Sequence, residues 1–226
     1  MWWLDLAMLF FPVTCIICGK RLGSFTDVLC LECEYNLPRT GFRDHVNNPV
    51  SRAFWGRIPL EMGTSLLRFD KGSAYQSLLH ELKYKGNRRV GYYLGRLLGK
   101  ELIHSSFDSC DIMVPVPLHP KRHRKRGYNQ SEIIASGISL VTGIPVVTDL
   151  LERTVHHHSQ ISLGRYERFR NISGNFRVST NAPDVNGLKI LLVDDVVTTG
   201  STLEACGLEL LRKFSCTICM ATLSCA

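Results

Sequence analysis

One stretch limits what this chain can become: Ile190-Leu-Leu-Val193-Asp194-Asp195-Val196-Val197-Thr198-Thr199-Gly200-Ser201-Thr202. The continuous apolar run at its start is the pattern of a parallel strand buried on both faces. Two carboxylates follow at once, then a Thr/Gly/Ser turn, then Leu203-Glu204-Ala205-Cys206, which opens a helical pattern. Backbone N–H groups at such a turn and helix start suit a phosphate, and Thr198, Thr199, Ser201 and Thr202 add hydroxyl donors. Asp194 and Asp195 stand at the carboxyl end of the strand, where open α/β sheets bind ligands, and can accept from two adjacent hydroxyls. A sugar carrying a phosphate and a vicinal diol fits. A buried strand ending in a plain helix N-cap would explain one acidic residue and one hydroxyl. It leaves the second carboxylate and three of the hydroxyls unexplained.

These residues resemble the phosphoribosyl pyrophosphate (PRPP) motif of type I phosphoribosyltransferases, in which a hydrophobic strand, Asp-Asp, two residues and Thr-Thr-Gly-Ser-Thr follow one another. The resemblance implies that Asp194 and Asp195 hold the ribose diol and that Thr198, Thr199, Gly200, Ser201 and Thr202 cradle the 5-phosphate.

The nine cysteines of this 226-residue chain are not spread as in a secreted disulfide framework. Four form Cys15-x-x-Cys18 and Cys30-x-x-Cys33, with Gly19 placed to turn the first knuckle. Such paired thiolates satisfy tetrahedral zinc with no open position, so a structural metal is the reading, and a disulfide the alternative. A region this small needs the metal to fold. Cys110, Cys206, Cys216, Cys219 and Cys225 lie in apolar contexts and read as small hydrophobes. Thiols in this pattern place the chain in a reducing, cytoplasmic compartment. The formal charge of +7 suits an anionic ligand and would also suit weak nucleic-acid contact.

Residues 1–13 are apolar, but without a basic flank or a small-residue cleavage site, and Asp5 interrupts them. They are too short to span a bilayer and have no basic face for anionic lipid, so an apolar helix docked on the body of the protein or on a partner is favoured over contact with a membrane surface. Asn36 to Pro59 has five Gly or Pro residues and no sustained periodicity, which predicts an irregular linker. The boundary expected is an N-terminal element over 1–58 and a main α/β domain over 59–226.

In the main domain, Glu61–Phe69 predicts a strand. Ser73 can cap a helix on Tyr75, Leu78, Leu79 and Leu82, stopped by Gly86, with Lys83 and Lys85 complementing its dipole. A phosphate-facing role for these lysines is the weaker reading. Residues Val90–His104 predict a second helix. Asp111–Pro117 predicts a buried strand ending in prolines, and the charged segment His119–Gln130 predicts a loop. Its cations suit a pyrophosphate or nucleic acid. A helix opens at Ser131. After Asp194 and its turn come a helix over Leu203–Phe214 and an apolar strand over Thr217–Leu223. Strands alternating with helices predict a mostly parallel sheet flanked by helices. Three consecutive histidines, His156 to His158, look like a metal site. Neighbours on an extended chain point to opposite faces, however, and no spaced cysteine or carboxylate supports them.

Pro115-Val-Pro117 followed by Arg122 and by Arg126-Gly-Tyr-Asn129-Gln130 is similar to the ComF (competence protein F, GntX-like) family. That family pairs an N-terminal Cys₄ zinc element with a type I phosphoribosyltransferase domain. The resemblance places Arg122, Arg126, Asn129 and Gln130 at the pyrophosphate. It matches Arg153 or Thr154, Gln160, Leu163, Arg168 and Asn171 to a mobile hood over PRPP, although His157 and His158 replace the family's usual Thr or Pro. It implies a phosphoribosyltransferase acting on PRPP with Mg²⁺, in a protein associated with DNA uptake. A different class stays open: a catalytically silent module that binds nucleotide or single-stranded DNA as an accessory to uptake or repair. Against it, the chain lacks the interleaved stacking aromatics of a dedicated single-strand groove.

Overall fold

The structure, a computed structural model, describes residues 12–23, 28–69, 72–154 and 175–226. The apolar segment up to residue 11, the three histidines and the hood residues Gln160, Leu163, Arg168 and Asn171 lie outside the described residues.

Strands β1 (Met62–Arg68), β2 (Ile112–Pro115), β5 (Lys189–Val197) and β6 (Thr217–Cys225) form one sheet in the order β1-β6-β5-β2. Every pairing in it is parallel. Strands β3 (Leu151–Arg153) and β4 (Phe176–Val178) make a separate antiparallel pair. The apolar run of β5 is explained by its place: Leu191 and Val193 pack into the core on one face, Ile190 and Leu192 into the core on the other, and all four are fully buried.

The described α-helices are α1 (Leu31–Tyr35), α2 (Pro49–Arg52), α3 (Gln76–Tyr84), α4 (Arg88–Leu102), α5 (Pro120–Arg126), α6 (Gln130–Thr142) and α7 (Ser201–Lys213). Apolar residues of α3, α4 and α6 fill the core on the Leu191 face, and those of α7 fill the core on the Ile190 face. Helices on both faces of a mostly parallel sheet are what the alternation of elements predicts. None of the described helices is long and apolar enough to cross a membrane.

The α4–α6 contact sets the position of one wall of the site. A Cβ at Gly95 would lie 2.3 Å from the carbonyl oxygen of Ile134, and one at Gly137 would lie 2.3 Å from that of Tyr92. Glycine at both positions lets the two backbones touch. The start of α6 is thereby held against the sheet, next to Asp194.

Three local expectations change. Strand β5 continues through Asp194 and Asp195 to Val197, because its ladder with β6 runs on to the Val197–Cys225 pair. The charged segment holds the short helix α5 where a loop is predicted. Pro120 is its first residue, the His119 ring accepts from the Lys121 N–H at 3.1 Å, and Gly127 closes it at φ 75°. With no apolar stripe, only the Pro and Gly at its ends mark it. Finally, the stretch predicted to be a linker contributes to the core. Asn48 caps α2 through the Ser51 N–H at 3.0 Å and donates to the Gly63 carbonyl at 2.7 Å, while Phe54 is fully buried beneath α7 residues.

Candidate functional site

The register of the sheet assembles the site. Pro115 of β2 pairs with Val193 of β5, so the chain leaves β2 for the basic segment beside Asp194. The result is a cavity of about 740 Å³ lined by both carboxylates, Arg122, Arg126, Asn129, Gln130 and Thr202. Lys83, Lys85, Lys125 and Arg153 line it as well, which makes six cations facing two carboxylates. Low-dielectric walls lined by one sign of charge concentrate anions.

Asp194 is half-buried: it opens on the cavity and is otherwise enclosed. It accepts from the Ser131 hydroxyl at 3.0 Å and from the Asp195 N–H at 2.9 Å. Enclosure, then the negative charge of Asp195, pushes its carboxyl up to about 7, against those two hydrogen bonds. Asp195 is paired with the Lys83 ammonium at 3.2 Å. Lys83 therefore does more than complement the α3 dipole: it reaches the acidic pair.

Thr198, Thr199, Gly200, Ser201 and Thr202 line a smaller pocket of about 40 Å³ that shares Asp194 and Thr202 with the large one. Gly200 sits at φ 74° as the cap residue of α7, whose first N–H groups receive no side-chain cap. A Cβ at Gly200 would lie 2.6 Å from the Phe54 ring, so both conformation and space require glycine. Arg57 holds the turn from behind. One Nη donates to the carbonyls of Ala53 and Thr199, each at 2.7 Å, and the other bonds the carboxylate of Glu204, which is itself buried. Neither Phe54 nor Arg57 carries a sequence signal.

The basic segment divides its residues between structure and cavity. Asn129 is buried and committed: its carbonyl oxygen accepts from Ser131 N–H at 3.1 Å, and its amide donates to Val116 O at 3.0 Å and to Glu132 at 3.2 Å. Gln130 is 2% exposed and lines the cavity, and its Nε2 has no hydrogen-bond partner among the described residues. A buried donor of this kind costs stability unless a ligand oxygen meets it. Arg153, over the Phe176 ring at 5.0 Å, also lines the cavity with its Nε unpartnered among those residues. Burial, then the nearby Arg122 charge, lowers its pKa. Lys121, His123 and Arg124 do not line the cavity and are exposed.

The four cysteines converge apart from this cavity. The sulfur atoms of Cys15, Cys18, Cys30 and Cys33 all lie within 4.8 Å of one another and could hold a metal ion. Cys18 and Cys30 are 3.7 Å apart, close to the edge of about 3.8 Å for a tetrahedron of thiolates bound at roughly 2.3 Å. Burial pushes the Cys15 thiol up, but N–H groups of Cys18, Cys30 and Ile17 outweigh it and bring it down to about 6. Thiolate character of this kind suits a metal ligand.

Comparison with known proteins agrees with this geometry. Residues 124–224 match the phosphoribosyl transferase domain family. The chain is 30% identical over 209 residues to the DNA utilization protein YhgH of Shigella flexneri, covering 90% of this chain and 86% of that protein. It is 28% identical over 199 residues to competence protein ComFC of Bacillus subtilis, covering 88% and 72%. Over 103 residues it is 34% identical to competence protein F of Haemophilus influenzae, covering 46% and 44%. With a phosphoribosyltransferase-like parallel sheet, an acidic pair beside a hydroxyl-rich turn and a four-cysteine cluster, the chain belongs to the ComF family.

Proposed function

We propose that this protein binds PRPP with Mg²⁺ and transfers its phosphoribosyl group, and that it serves the handling of incoming DNA. The carrying observation is the convergence of Asp194, Asp195, the Thr198–Thr202 turn and the Arg122–Gln130 segment on one cavity. The small pocket takes the 5-phosphate, the carboxylates accept from the ribose hydroxyls, and Arg122, Arg126 and Gln130 meet the pyrophosphate. Loss of pyrophosphate from C1 builds positive charge on the ribose and negative charge on the leaving group. Preorganised carboxylates and guanidiniums offset both. Asp195 is already paired with Lys83, and Asp194 with two donors, which fits diol partners and leaves Mg²⁺ to ligand oxygens and water. When bound, that ion supplies charge neutralisation at the pyrophosphate. Zinc is the metal we assign to the cysteine cluster, in a cytoplasmic protein, from its all-thiolate donor set. The names of the relatives support the link to DNA.

Thermal melting tests the central claim. PRPP with Mg²⁺ is expected to raise the melting temperature by mass action, ribose 5-phosphate less so. The shift should vanish in Asp194→Asn/Asp195→Asn with the fold intact; no shift in the parent protein would sink the assignment. One observation favours the accessory reading: Lys121, His123 and Arg124 are exposed and do not line the cavity. Single-strand binding with a steep salt dependence, in the absence of any PRPP shift, would select it.

A further inference from the structure

The small pocket offers an anion less charge than the large cavity does. Among the described residues no lysine or arginine lines it, and one carboxylate, Asp194, does. What favours a phosphate there is the turn itself: the hydroxyls of Thr198, Thr199, Ser201 and Thr202, and the N–H groups that open α7. Against it stands Glu204, in the first turn of the same helix and only 5% exposed. An acidic residue at that place complements the dipole of the ligand-free helix. Once a phosphate occupies the pocket, the same carboxylate is a like charge enclosed in protein, where screening by water is weak.

Arg57 meets that charge from outside the motif. One Nη bonds the Glu204 carboxylate, and the other donates to the carbonyls of Thr199 and Ala53, each at 2.7 Å. Thr199 and the adjacent Gly200 line the pocket, whereas Arg57 and Glu204 do not. The bond to Glu204 neutralises the buried carboxylate. The bond to Thr199 commits the negative end of a backbone dipole in the turn to a cation. Phe54 completes the support, since its ring packs against Gly200 and lies 5.8 Å from the Arg57 guanidinium carbon. We propose that Arg57 is a positioning residue for the 5-phosphate: it cancels the Glu204 charge and holds the turn, so the Arg57–Glu204 pair sets the affinity of the small pocket. The inference rests on the phosphoribosyl reading above. It also gives residues 53–57, in the stretch that the sequence presents as a linker, a part in ligand binding.

The test is calorimetric titration of the full chain with ribose 5-phosphate and, separately, with inorganic pyrophosphate and Mg²⁺. Arg57→Ala is expected to lower ribose 5-phosphate affinity by about tenfold and to leave pyrophosphate affinity unchanged. Arg57→Lys, which keeps the charge, should recover most of that loss. Glu204→Gln keeps the side chain's shape and an acceptor for the guanidinium, and it leaves the cation uncancelled. It is expected to raise ribose 5-phosphate affinity by about tenfold. A pair that only supports the fold would weaken binding in both variants, so the opposite signs identify charge as the cause. Glu204→Gln also carries the test alone should Arg57→Ala fail to fold. An unchanged or reduced ribose 5-phosphate affinity in Glu204→Gln overturns the inference, as does an equal loss of both ligands in folded Arg57→Ala. A parent protein that binds no ribose 5-phosphate would instead remove the phosphoribosyl reading on which the inference rests.

Discussion

Asp194 carries the most testable charge in the molecule. Its carboxyl, ordinarily at 3.8, is pushed up to about 7 in the fold. A raised carboxylate favours the protonated form when folded, so the stability it contributes is full below 3.8 and is lost as pH rises through about 7. Asp194→Asn should therefore stabilise the ligand-free protein at pH 8 relative to the parent, read by thermal melting. The same titration acts in the opposite direction on ligand binding, because a diol donates to the ionised form. PRPP affinity measured by calorimetry should fall by up to about tenfold per pH unit below 7, and this dependence should be weaker in Asp194→Asn. Equal profiles in the two proteins would remove the diol role. Arg57 offers a second single-residue test. Its loss leaves the buried Glu204 carboxylate unpaired, at a cost of roughly 3 kcal/mol. Arg57→Ala/Glu204→Ala should be less destabilised than Arg57→Ala alone, since the double variant removes the orphaned charge. A strictly additive cycle would mean the pair is not coupled. That Asp194, Asp195, Arg122 and Arg126 would meet at one cavity was legible, because each stands in a local motif at a strand end or the segment after it. Arg57 was not, because its hydrogen bond to Thr199 joins residues 142 apart in the chain.

Elements were legible to the extent that burial imposed a period on them. Strands β1, β2, β5 and β6 and helices α3, α4, α6 and α7 follow their apolar runs or helical spacings, with ends displaced by a few residues where carboxylates or hydroxyls interrupt the pattern. Helix α5 has charge in place of an apolar stripe, and residues 48–58 pack through isolated side chains on short turns, so neither leaves a period to read. The α4–α6 contact is a third case, since glycine in a helix signals only a propensity penalty until the facing backbone is known. Gly95→Ala separates the two effects. Alanine gains about 1 kcal/mol of helix propensity, while a methyl placed 2.3 Å from a backbone carbonyl forces the helices apart. Overpacking against a yielding side chain costs roughly 1–3 kcal/mol, and here the neighbour is backbone. The substitution should be net destabilising in urea unfolding and should weaken PRPP binding, because α6 brings Ser131 to Asp194. A gain in stability would show that the two helices have room to separate.

At the scale of the whole molecule, the cysteine cluster is part of the main core. The sequence suggests a small module folded by its metal, but Cys15, Val28, Leu29 and Leu37 belong to the same buried cluster as α3, α4 and α6. The Tyr93 hydroxyl of α4 donates to Glu34, and the Tyr75 hydroxyl donates to the Asn36 carbonyl at 2.6 Å, so two polar ties cross the same boundary. Structural zinc contributes on the order of 10 kcal/mol to folding in small zinc modules, comparable with the roughly 5–15 kcal/mol that holds a whole domain. Removing the metal should therefore do more than free the first residues. It should uncover Leu29 and the face of α4 that carries Tyr93, and lower the melting temperature of the entire chain. Elemental analysis should find one zinc per chain. Hydrogen exchange after chelation should show protection lost at residues 15–37 and also along α4, with PRPP binding weakened because α4 supports α6. Loss of protection confined to residues 15–37, with the melting of the remainder unchanged, would mean that the cluster folds as an independent appendage and that the shared core does not couple it to the site.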